Sequence, residues 1–355
     1  MDPTLLVPIP DAIQVPWGWF QGLLSLTFVV HILLVNIALG GALVALATTW
    51  CRHECTEPVG RDISVKLPTV IALAVNFGVA PLLFLQTLYG HMFYVSDILM
   101  GWWWLAVPFL IIVAYYAAYL YDFKFDGLGS LRGLVIGCCA LVLLLVGFLF
   151  ANNISLLGNP VQWPRYFTAE GGTFLNFGEP TLIPRYLHFV MASLAVGGLA
   201  AALNWSRASK QAEPLADWYV DQGMKWFFRG TLAQLIVGPW FLLGFEREVI
   251  LQFMGHSGLA TALFLAALMG VLMCLHAGFF KQPGRGAFYL VCTVAAMTGV
   301  REFARIGTMN PYFKASTIEV TGQYSPMIMF GVALVVGLGL MAYILKLAAK
   351  ARKEG

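Results

Sequence analysis

Five side chains in this 355-residue chain combine ionisable chemistry with an apolar setting: His31, His188, Arg301, Glu302 and Arg305. His31 lies inside FVVHILLVNIALG, Phe28 to Gly40, within an apolar run from near Trp17 to near Trp50. An ionisable group at membrane depth is costly and usually faces a protein interior, where it pairs or binds something. Imidazole and carboxylate are axial ligand types for haem iron, and a guanidinium pairs a haem propionate in forked geometry. Each residue also has a plainer role open to it. His31 can simply hydrogen-bond a neighbouring helix, and Arg301, Glu302 and Arg305 can form an internal salt-bridge cluster at a helix end.

The elements that must position these groups follow from composition. With 59% hydrophobic and 11% charged residues and a mean hydropathy of +0.78, the chain reads as an all-α, polytopic transmembrane bundle forming a single domain over residues 1–355. Runs of about 20 apolar residues, the length that crosses the hydrocarbon layer, fall at Phe20 to Trp50, Leu67 to Gly90, Trp102 to Tyr121, Leu134 to Leu157, Leu182 to Asn204, Phe227 to Phe245, Leu259 to Phe280, Ala287 to Phe303 and Met327 to Leu347. These nine runs are continuous rather than alternating, so they predict helices. Gly40-Gly41 and Gly197-Gly198 predict close helix approach.

Most basic residues, among them Arg52, Arg61, Lys66, Arg132, Lys225, Arg229, Lys281 and Arg285, fall on one side. The positive-inside rule makes that side cytoplasmic, with the N-terminus outside and the C-terminus inside. Met1 to Pro16 has no signal-peptide pattern, and a bacterial inner membrane is the expected location. The net charge of +3 selects no partner beyond lipid, and nothing points to nucleic acid.

Sorted by depth at about 1.5 Å per residue, His31, His188 and Glu302 converge in the outer half. His91 and His256 fall at outer helix ends, and His276 and His53 near the inner face. Cys51, His53 and Cys55 make a weak metal motif, and no CxxCH occurs. Cys138, Cys139, Cys274 and Cys292 read as buried thiols, Trp102 to Trp104 as an interfacial belt, and Met254, Met269 and Met273 as packing.

These residues carry a resemblance to subunit I of the cytochrome bd oxidase superfamily. HILLVNIALGG from His31 resembles the first-helix motif whose His is an axial ligand of an active-site haem. NFGVAPLLFLQTLYG, Asn76 to Gly90, resembles the second helix, and Ala151-Asn152 with Asn159-Pro160-Val161 the AN and NPV pair. EPTLIPRYLH, Glu179 to His188, resembles the segment leading to the low-spin haem b histidine. Arg301-Glu302 and Arg305, before Asn310-Pro311-Tyr312, loosely resemble the segment whose Glu ligates the other active-site haem.

Departures limit what the resemblance implies. Ala106 and Ala114 stand where the oxidases carry two third-helix acids, and Gln86 where a Glu is expected. The long quinol loop is replaced by the short Glu246 to Gly258, and Met269 is too deep to pair with His188, leaving His256 or Met254 as substitutes.

The expectation is a membrane subunit holding two or more haem b groups, with haem d left open. His31, His188 and Glu302 would be iron ligands, with Glu302 alternatively a proton-handling group, and Arg301 and Arg305 would be propionate partners. Electrons would pass between a periplasmic c-type cytochrome, or other redox subunits, and a second redox partner; quinone use is open. A divergent bd-type oxygen reductase and a cofactor-free quinone-handling or transport subunit are the alternatives.

Overall fold

A computed structural model describes residues 2–50, 57–168, 171–210 and 215–354; the Cys51, Arg52, His53 and Cys55 readings lie outside the described residues. The architecture is all-helical. Among the described residues nine long helices run α1 (Trp17–Trp50), α2 (Glu57–Leu99), α3 (Gly101–Phe123), α4 (Arg132–Leu157), α5 (Leu182–Lys210), α6 (Ala216–Leu243), α7 (Gly258–Phe279), α8 (Pro283–Met309) and α9 (Ser325–Glu354). Eight are long and apolar enough to cross a membrane. The exception is α6, whose apolar half is diluted by Arg229 and Gln234.

Helix lengths depart from the apolar runs where a helix continues beyond the hydrocarbon. The 43-residue α2 would be about 65 Å long if straight. It carries Pro68 and Pro81, and bends at Tyr89, where φ is −127° and ψ 17°. The Glu246 to Gly258 connection is itself ordered as a short helix, Arg247–Leu251, followed by a π turn, Gln252–His256, with Gly255 at φ 113°.

Packing is tightest where glycines let backbones meet, as hydrocarbon-embedded helices require in place of a hydrophobic driving force. A Cβ on Gly40 of α1 would fall 1.8 Å from the Ser193 carbonyl oxygen of α5, and one on Gly197 would fall 2.3 Å from the Gly40 carbonyl carbon. Gly198 meets Gly223 and Trp226 of α6 in the same way, and Gly230 meets Ala195. The expected close approach is therefore present, and it extends from α1 through α5 to α6.

The connections at the N-terminal ends of α1 and α5 pack down on the helix ends. Trp163 is buried and its Nε1 donates to the Leu156 carbonyl at 2.9 Å. Asn152, from the AN motif, and the adjacent Asn153 hold structure together: Asn152 Oδ1 accepts from the Asn176 backbone N–H at 2.7 Å, and Asn153 Nδ2 donates to Asp97 Oδ1 at 2.7 Å. The N-terminal segment pairs with the last outer connection through Ile13 N–H to Glu319 O at 2.8 Å.

Two sequence readings need correction. Cys138 and Cys292 are exposed at the bundle surface, and only Cys139 and Cys274 are buried; a thiol is apolar enough to face lipid. Trp102 is exposed as a belt residue would be, whereas Trp104 packs on Phe93 and Phe150, and Trp103 Nε1 donates to the Thr173 carbonyl at 3.0 Å.

Candidate haem-binding site

The tiers of the site are set by α1 and α5, which run parallel, so that both N-terminal ends lie at one end of the bundle, the direction called outward below. Ser193 Oγ of α5 donates to Asn36 Oδ1 of α1 at 2.9 Å, and both residues are buried. His31 and His188 each precede these partners by five residues. The hydrogen bond therefore places the two imidazoles at one level, about 7.5 Å outward of it. Five residues also turn a helix by about 140° from the shared contact. Each imidazole consequently points away from the α1/α5 interface, His31 toward α2 and His188 toward α6.

His31 is seated by α2. Its Nδ1 lies 3.0 Å from the Ala74 carbonyl. A carbonyl only accepts, so Nδ1 carries the proton and the neutral ring has its lone pair on Nε2. Such a backbone hydrogen bond is how imidazole ligands are oriented. Gly78 leaves the ring its space, since a Cβ there would fall 2.7 Å from His31 Cε1.

His188 sits in a similar cradle on α6. A Cβ on Gly238 would meet its ring at 3.7 Å, the Phe241 ring lies 6.0 Å away, and Gln234 Nε2 donates to the His188 carbonyl at 2.8 Å. Its Nδ1 is buried without a hydrogen-bond partner. Taken as whole residues, His31 and His188 are half-buried.

One turn outward lies a tier of three guanidiniums from α5 and α8. Arg301 stacks over Phe28 with Cζ 3.9 Å from the ring centroid. Arg185, three residues before His188, lies over Phe241 at 5.4 Å, and Arg305 over Tyr89 at 5.5 Å. The three are close enough for their charges to interact. Glu302 Oε1 accepts from Arg301 at 2.7 Å and Oε2 from Arg305 at 2.8 Å. Oε2 also accepts from Gln21 Nε2 at 2.7 Å, and Gln21 Oε1 accepts from the Tyr89 hydroxyl at 3.1 Å. Three donors remain unmet: Arg185 Nη1, Arg305 Nε and Arg305 Nη2 are buried without partners. A buried unmet guanidinium N–H calls for an anion.

The chemistry this permits is specific. A neutral imidazole with a free Nε2 suits a metal, and orphaned forked donors one turn outward suit carboxylates attached to it; haem presents both. Among the described residues no group of three or more His, Cys, Asp or Glu side chains could hold a bare metal ion, but a porphyrin iron needs only axial ligands from protein. The site residues therefore fit the group.

The structure joins Arg301, Glu302 and Arg305 in one ion-pair cluster, and Arg301 stacks on Phe28, three residues before His31. The Glu302 carboxylate also reaches Gln21, ten residues before His31 on α1. Of the substitutes weighed opposite His188, His256 and Met254 are exposed, as is the deeper Met269, and Gly238 and Phe241 lie beside the His188 ring. Arg185, Gln21, Tyr89, Gly78 and Gly238 join the site. Only Arg185 had a legible signal, its spacing of three from His188. No protein-family model matches the chain, and no curated protein or solved structure matches it.

Proposed function

We propose that this chain is a haem b-containing membrane subunit of a respiratory electron-transfer complex, akin to subunit I of the bd family, in a bacterial inner membrane. Two half-buried histidines at one level, on opposite sides of the α1/α5 pair, under one tier of unmet guanidinium donors, carry this reading. Haem b bound there supplies a one-electron iron couple whose potential is tuned by axial ligand, nearby charge and burial.

The chain's own part is to hold and bias. His31 offers Nε2 because Ala74 fixes the proton on Nδ1, and His188 offers the second imidazole. Arg185 and Arg305 present the orphaned donors to carboxylates. Glu302 keeps Arg301 and Arg305 in place, which makes it an anchor of the cation tier in preference to an iron ligand. The tier's position toward the outer helix ends favours a periplasmic donor or acceptor such as a c-type cytochrome, with a second redox partner completing the path. Ala114 is fully buried where a bd oxidase would hold an acid, which favours electron transfer over proton-consuming oxygen reduction.

A reduced-minus-oxidised visible spectrum of the purified chain tests this. Haem b bands in stoichiometric yield are expected, with His31→Ala and His188→Ala each removing a distinct component. Absence of haem bands, or variants that both keep the full spectrum, would overturn it.

A further inference from the structure

At the cytoplasmic ends of α6 and α7 the structure holds a cleft of about 140 Å³, lined by Asp221, Lys225, Phe228, Arg229, Phe279 and Lys281 around Gly278. Three cations thus face a single carboxylate. Asp221 is already taken: Lys225 Nζ lies 2.7 Å from Oδ2 and Lys281 Nζ 2.5 Å from Oδ1. Arg229 is exposed and has no ion-pair or hydrogen-bond partner among the described residues.

The backbone at Lys281 is the second observation. The α7 helix ends with Lys281 N–H donating to the Gly278 carbonyl and Gln282 N–H to the Ala277 carbonyl. That stop places its central residue in the left-handed region, a position usually held by glycine. Here a lysine occupies it at φ 55°. A side chain kept where glycine is favoured points to a use for it, and its ammonium is turned into the cleft toward Asp221.

Beside the charges stand apolar rings. Phe279, which lines the cleft, and Phe280 are 68% and 56% exposed at the helix end. A close Gly278 to Phe228 approach, at 3.1 Å for an added Cβ, floors the cleft. A phosphodiester fits the cations, forked on Arg229, and acyl chains fit the phenylalanines. Basic pockets between transmembrane helices on the cytoplasmic side are how anionic headgroups are held.

We propose that this α6/α7 cleft is a binding site for the phosphodiester headgroup of an anionic phospholipid of the inner leaflet. Full-length protein in phosphatidylcholine vesicles, doped with spin-labelled phosphatidylglycerol or spin-labelled phosphatidylcholine, reports the fraction of each lipid immobilised by the protein. Wild type is expected to immobilise more phosphatidylglycerol than phosphatidylcholine, with Arg229→Gln weakening that preference about fivefold at this site and R229Q/K281Q removing it. Lys281→Gly is the decisive variant, because it relaxes the helix stop while deleting the cation: it is expected to fold as well as wild type and still lose preference. Equal immobilisation of the two lipids by wild type, or retention of the preference in both Lys281 variants, overturns the proposal. Displacement of the labelled lipid by inorganic phosphate, but not by chloride of equal ionic strength, overturns the lipid assignment in favour of a free phosphate.

Discussion

Gly78→Ala asks whether the seat of His31 is as narrow as the packing implies. The added Cβ would fall 2.7 Å from Cε1, 3.0 Å from Nδ1 and 3.4 Å from Nε2 of the ring. Relaxed carbon contacts lie at about 3.5–4.0 Å, so the ring must withdraw by about 1 Å. A withdrawal of that size stretches the 3.0 Å bond from Nδ1 to the Ala74 carbonyl beyond hydrogen-bonding range. Losing the bond costs about 0.5–1.5 kcal/mol and crowding the α1/α2 contact about 1–3 kcal/mol. Together about 2–4 kcal/mol corresponds to roughly 30- to 1,000-fold weaker retention of whatever His31 holds. The assay is haem titration of the purified variant by difference spectroscopy. The component lost in His31→Ala should weaken while the one lost in His188→Ala persists. Gly238→Ala is the internal control, since its Cβ would make only an ordinary 3.7 Å contact with the His188 ring, and it should retain both components. Full retention of the His31 component in Gly78→Ala would refute the seating argument.

Other perturbations separate the layers of the site. Gly40→Ala puts a Cβ 1.8 Å from the Ser193 carbonyl and must force α1 and α5 apart, costing about 3 kcal/mol or more; a large fall in the thermal midpoint in detergent, with loss of both haem components, is expected. Ser193→Ala removes a single buried hydrogen bond to Asn36 and should cost only about 1 kcal/mol, read as a small shift in the same midpoint. Glu302→Ala strands two guanidiniums that it now pairs and should destabilise by about 3–5 kcal/mol, partly recovered by added haem if propionates take over the stranded donors. Arg185→Gln removes an unmet donor and should weaken the His188 component selectively, leaving the fold stable to heat.

Much of this was readable from residue types, and the reasons differ by element. Helical class followed from uninterrupted apolar runs, because lipid leaves the backbone no other way to satisfy its hydrogen bonds. The shared level of His31 and His188 was readable because residue counting along a helix converts to distance, and the Asn36 to Ser193 bond fixes the register of the two helices. Counting could not show which neighbours the Glu302 carboxylate takes, here Gln21 beside Arg301 and Arg305. The orphaned donors on Arg185 and Arg305 were equally invisible, because an unmet hydrogen bond is a property of the assembled surroundings. Cys138 and Cys292 misled for a related reason: in a membrane bundle an apolar residue can face in or out, and periodicity weakens as a guide to burial.

The backbone contact of α1 with α5 has a mechanical consequence. Bilayers differ in thickness, and membrane helices accommodate the mismatch by tilting or bending. The proline-bearing α2 bends at Tyr89, and α9 has no buried residue among those described, so these two can absorb such changes. The α1/α5 pair is stiffer, because backbone rather than side-chain atoms lie against Gly40 and Gly197 and the Asn36 to Ser193 bond opposes sliding. The spacing between the His31 and His188 positions is thereby insulated from the lipid around them, so a rate of transfer between centres held there would stay constant across membranes of different thickness.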